Sequence, residues 1–153
     1  MLRKLLSTPY ALLHASRVTI SSKITNLCTV EKNTMSAPAN VATYDEVKKV
    51  GLENKEVLII DVREPKELQE TGVIPGSINI PLGDIQSVLR DLSPEQFTQK
   101  YGRNKPSINS EIIFSCKSGK RAASALAISE QLGFKCVKNF SGGWLEWEEK
   151  SKC

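Results

Sequence analysis

The sequence predicts a single α/β domain with a mainly parallel sheet and helices on both faces. From about Val41 onward, short apolar runs alternate with segments of helical spacing, a pattern typical of βαβ units. The run at residues 57–60 is apolar at every position, as expected for a strand whose two faces are both buried. A chain of 153 residues has the size of one domain, so we expect one folded body over residues 41–150.

The first predicted elements of this body are two short helices separated by the buried strand. Thr43 and Glu46 have the spacing of a capping box, which starts a helix that we expect Gly51 to end. Pro65 suits the first position of the second helix, and Gly72 would end it. Both helices are therefore predicted to be short.

The middle of the body is predicted to contain a short strand, two helices and a loop. Pro81 stops the strand at residues 77–80, and apolar residues recur at helical spacing after it. Ser93 and Gln96 form a second capping box, which starts the next helix. Residues 102–110 are rich in Lys, Asn and Pro and are predicted to form a loop.

The last third of the chain places a loop between a strand and a helix. It is predicted to contain a strand at 112–114, a helix at 122–132 closed by Gly133, a strand at 136–140, a Gly-Gly turn and a helix at 144–150. Ligands of parallel sheets bind outside the carboxyl ends of the strands. Asp61 and Cys116 both follow predicted strands, so we expect the functional site there.

The net charge of +4 comes from the amino-terminal segment. The first 30 residues contain no acidic residue, and their basic residues are Arg3, Lys4, Arg17 and Lys23. The other 17 basic residues are balanced by 17 acidic residues. Proteins that bind nucleic-acid backbones are strongly basic, so we expect no nucleic-acid partner.

The acid-free segment is also rich in Ser and Thr, the composition of a mitochondrial transit peptide. We therefore expect residues 1–34 to form a disordered mitochondrial leader, and initiation at Met35 to give a cytosolic form. A tail without a targeting role is the alternative. The longest apolar runs have four or five residues, whereas a bilayer span needs roughly 20. No membrane insertion is expected.

The cysteines and histidine of the chain restrict its chemistry. The four cysteines lack the spacing of a metal site, and the only histidine, His14, lies in the leader together with Cys28. Cys136 opens a predicted strand, where we expect it to be buried, and Cys153 is the last residue. Without histidine, the body excludes Cys–His and Ser–His–Asp catalysis. We expect free thiols, no metal ion and no cofactor.

Cys116 is the candidate nucleophile because its position supplies positive potential without a histidine. A cysteine between a strand and a helix start lies near unpaired N–H groups and the positive end of the helix dipole. Lys117, Lys120 and Arg121 add positive charge. Both effects favour the thiolate, which is the nucleophilic form.

The groups that follow Cys116 would also hold an anionic substrate beside the sulfur. Arg121 is the strongest candidate among the cations, because a cation at a helix start is unfavourable with respect to the dipole. Lys117, Ser118, Gly119 and Lys120 complete the candidate binding loop, in which glycine permits a positive φ. An inert core cysteine beside solvated lysines is the alternative interpretation.

Three segments follow the pattern of one known family. Residues 116–121 read CKSGKR, and the other two are residues 57–81 and the run Gly142-Gly143-Trp144 with Trp147. They resemble the CxxGxR active-site loop, the amino-terminal signature and the carboxyl-terminal signature of rhodaneses, in that order. The resemblance covers about residues 41–150 and implies a rhodanese-like single domain with thiosulfate sulfurtransferase activity.

The resemblance also implies a mechanism. The Cys116 thiolate would take the outer sulfur of thiosulfate, releasing sulfite and leaving a persulfide. Cyanide or a thiol, such as glutathione or a thioredoxin-like protein, would then accept the sulfur. We expect a monomer that works without a cofactor, and mercaptopyruvate remains an alternative donor.

Two other functions stay open for a Cys-loop-Arg site. One is a phosphatase or arsenate reductase of related fold, and the other is a sulfur-carrier or protein-interaction module. Four residues separate Cys116 from Arg121, whereas the cysteine phosphatases with a similar loop have five. The smaller loop leaves less room for a tetrahedral phosphate, and sulfur chemistry is therefore favoured.

One position departs from the family pattern, since Val73 stands where the family usually has histidine. A packing or hydrogen-bonding role at this position is therefore in doubt, and the nucleophile is unaffected. Asp61 and Arg63 are expected to form a structural ion pair. Trp144 and Trp147 lie three residues apart and are expected to pack between helix and sheet.

Overall fold

The computed structural model describes residues 40–53 and 56–152. The elements are β1 (Val41–Ala42), α1 (Tyr44–Glu53), β2 (Leu58–Asp61), α2 (Pro65–Thr71), β3 (Ile78–Asn79), a short 3-10 helix (Leu82–Asp84), α3 (Ile85–Asp91), α4 (Pro94–Tyr101), β4 (Glu111–Ser115), α5 (Lys120–Gln131), β5 (Cys136–Phe140) and α6 (Gly143–Ser151). The predicted leader with Cys28 lies outside the described residues, and so do Met35 and Cys153. Within them, no helix is long and apolar enough to span a membrane.

The described strands form one sheet in the order β1-β5-β4-β2-β3, and every pair is parallel. This arrangement confirms the predicted α/β class. In the β2–β4 pair, Ile60 lies opposite Phe114, and Asp61 lies opposite Ser115. The carboxyl ends of β2 and β4 therefore meet at the same edge of the sheet.

Two apolar layers cover the two faces of the sheet. On one face, Leu58, Ile60, Ile112, Phe114 and Val137 pack against α3, α4 and α5 through Val88, Leu89, Phe97, Ala122 and Ala125. On the other face, Ile59, Ile113 and Phe140 pack against α1 and α6 through Tyr44, Val47, Trp144 and Trp147. Full burial of one such aliphatic side chain contributes about 1.5–3 kcal/mol. The prediction of helices on both faces is confirmed.

The capping signals at α2 and α4 operate as predicted. The Gln96 backbone N–H donates to Ser93 Oγ at 3.2 Å, and the Ser93 N–H donates to Gln96 Oε1 at 2.9 Å. Helix α2 begins at Pro65, and its last residue precedes Gly72, which has a φ of 97°. Local sequence chemistry thus sets these helix ends.

Gly51 does not end α1, which continues to Glu53. A Cβ atom at this position would lie 2.5 Å from the carbonyl oxygen of Pro75. The glycine is therefore explained by the close approach of the segment after α2, and the prediction of a helix stop here was wrong.

Helix α5 starts two residues earlier than predicted, at Lys120. Gly119 precedes it with a φ of 78° and serves as its N-cap residue. Lys120 and Arg121 consequently lie in the first turn of α5, next to the unpaired amides of the helix start.

Candidate active site

Cys116 directly follows β4, at the edge of the sheet where β2 also ends. The residue is only 1% exposed and belongs to the same apolar layer as Phe114 and Ala122. The predicted position at a strand's carboxyl end is therefore correct. The thiol lies at the base of the loop that carries the other candidate residues.

The loop after Cys116 offers a series of free backbone donors. The amides of residues 117–122 donate no hydrogen bond to any residue in the described part of the chain. Lys117, Ser118 and Lys120 are exposed at the surface of this loop. Six adjacent N–H groups at a helix start form a site suited to an anion.

The first turn of α6 fixes the carbonyl side of this loop. The Trp144 N–H donates to the Cys116 carbonyl at 2.7 Å, and the Leu145 N–H donates to the Lys117 carbonyl at 3.2 Å. Gly143 has a φ of 56°, and a Cβ atom there would lie 2.4 Å from the Cys116 carbonyl oxygen. The Gly-Gly segment was predicted only as a turn; its contact with the cysteine loop was missed.

Position 119 requires glycine because of both the backbone conformation there and the atoms that surround it. Its φ of 78° lies in the left-handed region, as predicted for a glycine in this loop. A Cβ atom would also lie 2.2 Å from the Ser141 carbonyl oxygen. The loop therefore packs closely against the segment that joins β5 to α6.

Arg121 forms a bidentate ion pair with Glu67 of α2. Its Nη1 donates to Glu67 Oε2 at 2.6 Å, and its Nη2 donates to Glu67 Oε1 at 2.8 Å. The Arg121 hydrogen bond lowers the pKa of the Glu67 carboxyl to about 2. Lys117 and Lys120, in contrast, form no ion pair with the residues described.

Arg121 is the strongest anion-site candidate among the loop cations by the sequence argument, and in the structure its charge already faces a carboxylate. Glu67 was not among the candidate site residues. The signal that could have found it is its place inside the amino-terminal signature at residues 57–81.

Asp61 and Arg63 form the predicted structural ion pair beside the site. Arg63 Nη2 lies 2.8 Å from Asp61 Oδ2, and the two side chains are 1% and 0% exposed. Arg63 also donates to Thr71 Oγ1 and to the Gly72 carbonyl, and its guanidinium lies 4.9 Å from the centre of the Trp144 ring. The pair thus connects β2, the end of α2 and α6.

Three further expectations concern single residues near or outside the site. Val73 is 52% exposed, so the side chain at the departure from the family pattern does not pack into the core. Cys136 is half-buried, and the expectation that it is buried was wrong. Trp144 and Trp147 are both buried against the sheet, as predicted. Residues 40–53 and 56–152 contain no cluster of His, Cys, Asp and Glu side chains that could hold a metal ion.

A parallel sheet that carries a buried cysteine at a strand end, followed by a loop of free amides, defines an α/β protein with a candidate anion site at a cysteine loop. Residues 43–150 match the family model described as Rhodanese-like domain. The chain therefore belongs to the rhodanese-like sulfurtransferase family, and the resemblance seen in three motifs is confirmed.

Known proteins support this assignment. The Drosophila melanogaster rhodanese domain-containing protein CG4456 is 46% identical over 72% of this chain and 97% of its own length. The putative mitochondrial thiosulfate sulfurtransferase of Schizosaccharomyces pombe is 38% identical over 74% and 82%. The human thiosulfate:glutathione sulfurtransferase is 36% identical over 60% and 79%.

The fold also matches a solved structure of this family. The human single-domain sulfurtransferase TSTD1 superimposes with a TM-score of 0.66, covering 74% of this chain and 98% of the human chain, at 32% identity. The rhodanese-like single-domain fold expected from the sequence is thereby confirmed.

Proposed function

We propose that this protein is a thiosulfate sulfurtransferase that carries sulfur as a persulfide on Cys116. The observation that supports the proposal is the position of Cys116 at the base of six amides that have no acceptor among the described residues. The two relatives named thiosulfate sulfurtransferase and thiosulfate:glutathione sulfurtransferase agree with it.

The reaction has two steps in this proposal. The Cys116 thiolate attacks the outer sulfur of thiosulfate, and a new S–S bond forms while the S–S bond of thiosulfate breaks. The electron pair of the broken bond leaves with sulfite, so that Cys116 carries a persulfide anion. An acceptor then attacks the outer sulfur and regenerates the thiolate. This covalent sequence gives ping-pong kinetics.

The loop residues have distinct roles in this proposal. Its amides, with the exposed ammonium groups of Lys117 and Lys120, bind the sulfonate oxygens and stabilise the persulfide anion. Ser118 and Gly119 give the loop the shape that presents those amides. Arg121 lies beside the loop as one half of its ion pair with Glu67.

The acceptor in this proposal is a small thiol such as glutathione, and a thioredoxin-like protein or cyanide can take its place. The name of the human relative supports glutathione. A thiolate acceptor takes the outer sulfur directly, so neither a metal ion nor a cofactor is needed. We also propose that the protein works as a monomer.

Assays with two substrates test the reaction class. The protein is expected to form thiocyanate from thiosulfate and cyanide and to leave an aryl phosphate ester essentially unhydrolysed, because a four-residue spacing between Cys116 and Arg121 leaves little room for a tetrahedral phosphate. Efficient ester hydrolysis without thiocyanate would indicate a phosphatase. Absence of both activities would favour a binding or carrier module.

We also propose mitochondrial targeting by residues 1–34, in keeping with the mitochondrial relative from Schizosaccharomyces pombe. A fluorescent reporter fused behind these residues is expected to enter mitochondria, because the first 30 of them contain no acidic residue and the segment is rich in Arg, Lys, Ser and Thr. The matched control is the chain started at Met35, which is expected to stay in the cytosol. Equal distribution of the two would show that the segment does not target.

A further inference from the structure

The Glu67 carboxylate is held by more than one contact. Besides the two hydrogen bonds from Arg121, its Oε2 accepts the Glu64 backbone N–H at 3.1 Å. That bond belongs to the capping box of α2. Both side chains of the pair are partly exposed, at 34% for Arg121 and 31% for Glu67. The capping box of α2 therefore fixes the Glu67 carboxylate, and the carboxylate in turn sets the position of the Arg121 guanidinium.

The pair leaves little net charge at this side of the cysteine loop. The pKa of Glu67 is lowered to about 2, and the same hydrogen bonds raise the pKa of Arg121. Both groups are therefore charged at neutral pH and compensate each other. Lys117 and Lys120 are the loop cations that lack such a partner in the described part of the chain.

We propose that Glu67 is a positioning residue whose carboxylate keeps the Arg121 guanidinium in the ion pair and compensates its charge beside the cysteine loop. The donor is then bound by the loop amides and the two lysines, without direct contact to Arg121. This inference rests on the proposed sulfur-transfer function. Binding of the anionic donor then depends on a residue of α2 that lies 54 positions before Arg121 in the chain.

The proposal predicts opposite effects for the two halves of the pair. Arg121→Ala leaves an unpaired carboxylate beside the anion loop and is expected to raise the KM for thiosulfate about five- to tenfold. Glu67→Gln removes the carboxylate and leaves Arg121 as an additional cation, so the KM is expected to fall roughly two- to fivefold. A purely structural pair would instead weaken binding in both variants.

The double variant Glu67→Gln/Arg121→Ala provides the decisive comparison. It has the same local net charge as the natural pair, because one cation and one anion are removed together. Its KM is expected to return to within about threefold of the natural value. If Arg121 contacts the donor directly, the double variant is as impaired as Arg121→Ala, and the proposal is overturned.

A second readout does not depend on which sulfur donor the protein uses. The rates of Cys116 alkylation by iodoacetate, an anion, and by iodoacetamide, a neutral reagent of similar size, are measured by peptide mass spectrometry. Their ratio reports the local potential at the thiol. Relative to the natural protein, it is expected to fall in Arg121→Ala, rise in Glu67→Gln and recover in the double variant.

The two readouts separate the inference from the proposed function. If thiosulfate is not a substrate but the alkylation ratios follow the expected order, the charge role of Glu67 stands and the sulfur-transfer proposal fails. If thiosulfate is a substrate but the ratios do not change, the role of Glu67 fails alone. Glu70→Gln is the matched control, because Glu70 is an exposed carboxylate on the same helix. It is expected to leave both readouts unchanged.

Discussion

Replacement of Cys116 by serine is expected to abolish sulfur transfer while the domain still folds. Serine is nearly isosteric with cysteine but cannot carry a persulfide. Because the side chain is 1% exposed, an unpaired hydroxyl there costs about 1–3 kcal/mol of the free energy of unfolding. We expect no thiocyanate formation above background, together with a cooperative unfolding transition.

Cys136→Ser is the control for this experiment. Cys136 is half-buried and pairs with Glu111 at the amino-terminal end of β4, whereas Cys116 follows the carboxyl end of that strand. Its substitution is expected to preserve sulfur transfer. Full activity of Cys116→Ser would transfer the nucleophile's role to Cys136 or Cys153 and contradict the assignment.

Substitution of Asp61 by asparagine is expected to cause a large loss of stability. Asparagine keeps the shape of the side chain but removes the charge that compensates Arg63, and both residues are almost completely buried. Breaking a buried ion pair by removing one partner costs about 3–5 kcal/mol. Urea unfolding of the variant should show a midpoint well below that of the natural protein.

Asp91→Asn is the matched control for Asp61. The Arg90–Asp91 pair has a similar short contact of 2.6 Å, but both side chains are more than half exposed. Solvent screens such a pair, so its loss is expected to leave the unfolding midpoint unchanged within error. Equal midpoints for Asp61→Asn and Asp91→Asn would show that the buried Asp61–Arg63 pair contributes no more to stability than an exposed pair.

The fold could be predicted because its signals are local in the sequence. The uniform apolar run before Asp61 belongs to the interior strand β2, and the bounds expected for β5 agree with those observed, Cys136–Phe140. The capping residues of α4 are the predicted ones. Apolar periodicity, capping pairs and turn residues each act within a few positions, so they can be read without knowledge of tertiary contacts.

The contacts that complete the site could not be predicted in the same way. Glu67 and Arg121 are 54 positions apart, and no local pattern indicates that α2 and α5 meet. Glycine is typical of helix ends, yet Gly51 lies inside α1. Its presence there is explained by the close approach of Pro75, which no local pattern indicates. The role of Gly143 likewise depends on the Cys116 carbonyl oxygen, which reaches it only in the folded chain.

The persulfide on Cys116 is tested most directly by the intact mass of the purified protein after incubation with thiosulfate. We expect a gain of one sulfur atom, located on Cys116 by peptide mapping, absent from Cys116→Ser and removed by glutathione or cyanide. An unchanged mass after thiosulfate alone, in a preparation that forms thiocyanate once cyanide is added, would contradict the persulfide mechanism. A sulfur atom found on Cys136 or Cys153, with Cys116 unmodified, would contradict the assignment of the site.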